Sequence, residues 1–142
     1  MQTFLPFSDF EASLMTLDYR RLGKQRVEAL QIINSLVDPN YGYKHHPVKA
    51  MWEDFIPALK YYCNLSILLW ESQGYQNNMM LYDVPEIVEI PYFSAELYLS
   101  HRSNLIRKDP LHYSKFFPDT PDNLPYEWVK PIASYKIKTR LY

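Results

Sequence analysis

Apolar residues recur along positions 17–37 at helical spacing: Leu22, Val27, Leu30, Ile33 and Val37 predict the buried face of a long amphipathic helix. Arg21, Lys24, Gln25 and Glu28 stand at i, i+3, i+4 and i+7 and so share a second face. Asp18 is placed to cap this helix, and the turn cluster Asp38-Pro39-Asn40 ends it. Upstream, residues 1–6 read as a short extended lead-in. Ser8-Asp9-Phe10-Glu11 matches a capping box, which opens a brief helix from near Asp9 towards Thr16.

Downstream, residues 42–47 form a loop, and Pro47 suits the first turn of a helix carrying Met51, Trp52 and Phe55. Pro57 breaks or restarts it, and the next helix runs through Leu59, Tyr62, Cys63, Leu68 and Leu69 to a cap at Gly74. Residues 75–92 show no helical period, and Pro85 and Pro91 mark irregular or extended chain. Ser94 caps a helix over residues 95–108 with Leu97, Leu105 and His101 on its inner side, and Asp109-Pro110 ends it. Pro118, Pro121, Pro125 and Pro131, with scattered aromatics, favour an extended segment laid over the surface. The pattern therefore predicts an all-α fold: one compact helical domain over residues 1–142, with residues 118–142 as an aromatic tail packed on it.

A chain of 142 residues is long enough to bury about two-thirds of its unfolded surface. Its 13 Tyr, 7 Phe and 3 Trp are an unusual aromatic share, suited to packing with a polar tip or to stacking on bases. A net charge of −1 gives no global pull towards nucleic acid, but the charge is unevenly spread. Asp83, Glu86, Glu89 and Glu96 form an acidic stretch, while Arg102, Arg107, Lys108 and Lys115 face only Asp109. The tail carries Lys130, Lys136, Lys138 and Arg140 with no acid after Glu127. Cys63 is alone, which excludes an internal disulfide and suits a reducing compartment. No signal peptide is evident and residues 65–70 are too short a run to span a bilayer, so a cytoplasmic protein without membrane contact is expected.

The face holding Arg21, Lys24, Gln25 and Glu28 puts one carboxylate among cations. That mixture suits a site that binds phosphates yet keeps one acid-base group, and a solvated helix face carries the same pattern. Four histidines and one cysteine lack the paired spacings of a structural zinc site, so no metal is expected. Three glycines cannot build a phosphate-cradling loop, and no nucleophile-elbow motif is present.

Three blocks resemble the pyrimidine-dimer DNA glycosylase family, whose phage and bacterial members are small helical base-excision enzymes. Leu17-Asp18 followed by Val27-Glu28-Ala29-Leu30 is similar to the Leu-Asp opening and Arg-Glu-Ala-Leu segment of bacterial members. Gly42-Tyr43-Lys44-His45-His46-Pro47, shortly before Trp52, is close to their Gly-Tyr-x-Asn/His-His-Pro segment. Gln73-Gly74-Tyr75 is similar to their Arg-Gly-Tyr, and Arg107-Lys108-Asp109-Pro110 with His112-Tyr113 forms a weaker fourth block. The blocks span most of residues 1–117 in the family's order, and the tail lies outside them.

The resemblance implies a DNA glycosylase with abasic-site lyase activity, acting on pyrimidine dimers or related damaged pyrimidines in duplex DNA. It further implies a monomer with no cofactor. In that family the α-amine of the mature N-terminus attacks the sugar C1′. An α-amine titrates at about 7.7–8.0, against about 10.4 for lysine, so it is partly free base near neutrality. Base loss leaves an imine, and a helix-borne Glu stabilises the cationic sugar and moves the proton that drives strand cleavage. By position these groups are Met1, retained because Gln2 is too bulky for its removal, and Glu28.

Two departures leave the lesion open: Val27 stands where the family has Arg, and Gln2 where it commonly has Arg. The expected DNA-contacting residues are Gln2, Arg20, Arg21, Lys24, Arg26, His46, Arg102, Arg107, Lys108, His112 and Tyr113. Of these, His46 either meets DNA or caps the helix that Pro47 begins, while His112 and Tyr113 either meet DNA or pack. His101 reads as a satisfied, partly buried histidine, and Trp52, Trp70 and Tyr75 as core. Two other readings stay open: a non-catalytic DNA-binding module on the same scaffold, and a helical protein-interaction domain with a tyrosine-rich surface.

Overall fold

Residues 1–42 and 45–139 are described by a computed structural model. Tyr43 and Lys44 of the Gly42–Pro47 block, and Arg140 of the basic tail, lie outside the described residues. In chain order the elements are α1 (Phe10–Met15), α2 (Tyr19–Val37), α3 (Val48–Trp52), α4 (Ile56–Ser72), β1 (Ile87–Tyr92), α5 (Ala95–Lys108), α6 (Pro110–Tyr113) and β2 (Ala133–Lys138).

Local chemistry accounts for most helix ends. Asp9 accepts from Ala12 N–H to start α1, and Ser94 accepts from Leu97 N–H to start α5. Pro57 sits in the first turn of α4, where its missing N–H costs no hydrogen bond. Beyond α4, Gly74 takes φ 89°, the left-handed conformation that lets the chain leave the helix. Phe55 falls outside α3 and instead precedes α4. Asp109, expected only to end α5, also caps α6 by accepting from His112 N–H.

The all-α expectation is overturned. β1 and β2 pair antiparallel in a register running from Ile87 opposite Lys138 to Tyr92 opposite Ala133, so the fold is mostly helical with a two-stranded sheet. The sheet hides from sequence patterning for two reasons. Val88 and Ile90 alternate inward on β1, but Pro85 and Pro91 mask that short period. β2 packs little against the core and has no apolar alternation, because only Ile137 is partly buried. The acidic stretch and the basic tail find each other here: Glu89 pairs in register with Lys136, and Lys138 Nζ lies 3.2 Å from Glu86.

The core lies between α2, α4 and the aromatic side chains brought by α1, α3 and the segment after β1. Phe10 meets Tyr62 at 5.5 Å and Trp52 at 5.8 Å, and Trp52 meets Phe93 at 5.5 Å, all edge-on. Gly23 on α2 lets the Trp70 ring lie close against the helix, since a Cβ there would stand 2.8 Å from that ring. Of the aromatics expected in the core, Trp70 packs half-buried against it and Tyr75 is exposed, stacked on Trp70. Their rings are 4.2 Å apart, with the Arg26 guanidinium 4.7 Å from Trp70 and Tyr19 5.9 Å from Tyr75.

Candidate active site

The lead-in at residues 1–6 is buried from Gln2 onward, although it joins no strand. Its backbone polar groups are therefore met by side chains. Gln25, only 1% exposed on α2, substitutes for a neighbouring strand. Its Oε1 accepts from Phe4 N–H at 2.9 Å and its Nε2 donates to Gln2 O at 3.0 Å. His101 Nδ1 accepts from Leu5 N–H at 2.8 Å. Trp52 Nε1 donates to the Thr3 hydroxyl at 3.0 Å, and the Tyr62 hydroxyl donates to Phe4 O at 2.9 Å. Four side chains, one each from α2, α3, α4 and α5, thus hold the first residues of the chain in one path.

That path ends at a cavity of about 980 Å³. One wall is the lead-in with Met1, Gln2 and Phe4; the next is the start of α2, from Asp18 to Glu28. His46 enters from the loop before α3, Lys108, Asp109 and His112 from the junction of α5 and α6, and Tyr126 and Trp128 from the tail.

Met1 and Glu28 meet at this cavity. Glu28 Oε2 accepts from Gln2 N–H at 3.2 Å and from Gln25 Nε2–H at 3.1 Å, and Lys24 Nζ lies 3.5 Å from Oε1. The Glu28 side chain is only 12% exposed, and it lines the cavity. The Met1 amine lies 3.4 Å from His46 Nε2. His46 also serves α3, because its Nδ1 accepts from Val48 N–H at 3.2 Å. Burial, and then the neighbouring amine, hold the His46 pKa below its ordinary value, against an upward pull from Glu28.

Asp18 precedes α2 without capping it through its side chain. Its carboxylate instead takes the Tyr113 hydroxyl and Arg21, 3.1 Å away. Burial opposes the charge on Asp18, but those two partners outweigh it and keep its pKa below the usual carboxylate value.

The cations expected on one DNA-facing surface divide into two groups. Arg20, Arg21, Lys24 and Lys108 line the cavity, as does His112, whose Nε2 is 2.8 Å from Thr16 O. Arg26, Arg102 and Arg107 do not. Arg26 donates to Asn77 Oδ1 at 2.6 Å, Arg102 to Pro6 O at 2.7 Å and Arg107 to Asp122 O at 2.6 Å. These guanidiniums close loops onto helices, which is where a fork of donors satisfies stranded carbonyls. Tyr113 is fully buried beneath Asp18, which removes it from any DNA surface. Gln2 borders the cavity, yet its side chain turns inward: Oε1 accepts from Thr3 N–H at 2.9 Å, and Nε2 is buried without a hydrogen-bond partner among the described residues.

Tyr126 and Trp128 were not singled out by the sequence, and the aromatic excess of the tail was the only signal for them. Asp18 and Tyr19 join the site because they sit at the N-terminal end of α2, where the helix opens on the cavity. Among the described residues no cluster of His, Cys, Asp and Glu is arranged to hold a metal ion, and no helix is long and apolar enough to cross a membrane.

A family model described as pyrimidine dimer DNA glycosylase matches residues 1–83. The match takes in Met1, Gln2, α2 and His46, and it ends before the α5–α6 and tail walls of the cavity. No curated protein and no solved structure gives a significant match.

Proposed function

The chain belongs to the pyrimidine dimer DNA glycosylase family, and from that premise we propose a glycosylase that couples base removal to strand cleavage through the Met1 α-amine. One observation carries this reading: the amine and the Glu28 carboxylate line one cavity, their adjoining walls joined by the Gln2 N–H bond to Glu28 Oε2. The amine lone pair forms a bond to C1′ of the damaged nucleotide while the C1′–base bond breaks. Its electron pair leaves with the base, which takes up a proton. Opening of the sugar ring moves a proton to O4′ and leaves an imine between Met1 and C1′. The imine acidifies C2′, and loss of that proton expels the 3′-phosphate and cuts the strand. Glu28, bonded to the peptide that follows the amine, stabilises the cationic sugar and carries these protons.

Arg20, Arg21, Lys24 and Lys108 ring the same cavity and suit the phosphates flanking an extruded nucleotide. The cavity draws on residues from Met1 to Trp128, so we take the chain as one functional unit. Borohydride added to protein with an authentic N-terminus and abasic duplex DNA should trap a covalent adduct. A one-residue N-terminal extension should abolish it by converting the amine into an amide. Absence of any adduct with the unextended protein would exclude imine chemistry and leave a DNA-binding module.

A further inference from the structure

We propose that His46 is a positioning residue for the Met1 amine, donating a hydrogen bond from its Nε2–H to the free-base nitrogen. The inference rests on the imine reading and deepens it. Its basis is a count of hydrogens. Val48 N–H points at His46 Nδ1 from 3.2 Å, and a backbone N–H is only ever a donor, so Nδ1 must present a lone pair. A neutral imidazole carries one N–H, which therefore sits on Nε2. Nε2 is the atom 3.4 Å from the Met1 nitrogen. A donor in that position is met by the lone pair of a free amine, whereas an ammonium would set N–H against N–H.

The start of α3 thus chooses the tautomer, and the tautomer matches the reactive form of the nucleophile. The length of the contact is part of the fit. A short bond would occupy the lone pair needed for attack, while a long one holds the nitrogen in place and yields as C1′ approaches.

The ring is fixed from three sides. Val48 anchors Nδ1, the Trp128 indole stands edge-on at 5.4 Å, and the amine closes the third side. The charged groups facing it are the Met1 amine from the lead-in and Glu28 from α2; Trp128 adds none. Farther around the cavity stand Arg21, Lys24, Asp18 and, from the α5–α6 junction, Lys108, Asp109 and His112. Protonating His46 would fill Nδ1, break the bond from Val48 and place an imidazolium beside the amine, so one proton dismantles the arrangement.

His46→Asn separates the two roles, because an Asn Oδ1 can replace Nδ1 as acceptor for Val48 while nothing replaces Nε2. It should keep the melting temperature and the affinity for abasic duplex, yet lower the single-turnover rate of borohydride-trapped imine by about 10- to 100-fold. His46→Gln, whose amide reaches the Nε2 position, should recover much of that rate. Below about pH 6.5 the wild-type rate should fall more steeply than that of His46→Asn, since only the wild type loses a second proton-sensitive group. Long-range proton–nitrogen NMR on the free protein should report Nε2–H for His46. An Nδ1–H tautomer, or trapping by His46→Asn at the wild-type rate, overturns the inference. A wild-type protein that traps nothing overturns the imine reading instead, and the NMR result still decides the tautomer.

Discussion

Gln2 N–H donates to Glu28 Oε2 at 3.2 Å, tying the first peptide bond of the chain to the one carboxylate on the cation-rich face of α2. Gln25 Nε2 donates to the same oxygen. Glu28→Gln can keep both bonds through its amide oxygen, and the lost contact is a single 3.5 Å pair to a lysine that is largely in solvent, of small worth. Stability should therefore change by about 1 kcal/mol or less, while strand cleavage falls by about a hundredfold or more. Thermal melts beside a nicking assay on abasic duplex check both halves. A large melting-temperature loss would assign Glu28 to holding the lead-in.

The division of the cations gives a number for salt dependence. If the four cavity-lining cations each neutralise one phosphate, log affinity should fall with log salt at a slope of about −3.6. Reversing Arg21 and Lys24 to Glu should roughly halve that slope, to about −1.8. Arg107→Gln should leave it unchanged, because that guanidinium is committed to Asp122 O. Fluorescence anisotropy across a salt series reads all three. An Arg107 effect as large as that of Lys24 would move the DNA face towards the exposed side of α5.

The main helix was legible because Asp18 and Asp38-Pro39-Asn40 bracket an apolar period, but its buried face only in part: Leu22 and Ile33 are buried as the period predicts. Val27 and Val37 are 40% and 56% exposed, while Gln25 and Ser35 are buried. Periodicity assumes that apolar surface decides the inward face; here a glutamine turns inward because the strandless lead-in needs its amide. The strands were illegible for a related reason, since β2 is held by β1 and by cross-strand charge more than by apolar burial. Met1, Glu28, Arg20, Arg21 and Lys24, picked out from the sequence, line one cavity, whereas Arg26 does not. The cavity's far wall comes from Tyr126 and Trp128, about a hundred residues away, and no local spacing encodes that return. Of the two readings of His46, the helix-start one is met by the bond from Val48, and the ring also lines the cavity beside the Met1 amine.

His101 is fully buried, receives Leu5 N–H on Nδ1 and leaves Nε2 without a partner among the described residues. Burial pushes its pKa down to about 3 from an ordinary 6.5. The unfolded chain therefore gains a proton below 6.5 that the folded protein refuses, and stability is lost as pH falls from there towards 3. Going from pH 7 to pH 5 should remove about 2 kcal/mol through this group alone. Urea melts at both pH values should show the loss. His101→Asn should be less stable at pH 7 but markedly flatter between them, and an equally steep variant would assign the acid sensitivity elsewhere.

Trp128 tests the tail's part in the site. Its indole stands edge-on to His46 at 5.4 Å, and the leading cause of the lowered His46 pKa is burial. Trp128→Ala opens that side of the ring to water while leaving Val48, Met1 and Glu28 where they are. Solvation favours the charged imidazolium, so the His46 titration should move up towards its ordinary 6.5. At pH 6 more of the protein would then carry the protonated ring, which cannot accept from Val48 or match a free amine. The trapped-imine rate should accordingly drop more at pH 6 than at pH 8, although the indole touches neither the amine nor Glu28 through any hydrogen bond. Histidine proton shifts followed through a pH titration give the midpoint, and trapping at the two pH values gives the consequence. A midpoint that stays put would assign the desolvation of His46 to the lead-in and α3, and a rate loss equal at both pH values would make Trp128 a wall of the substrate cavity alone.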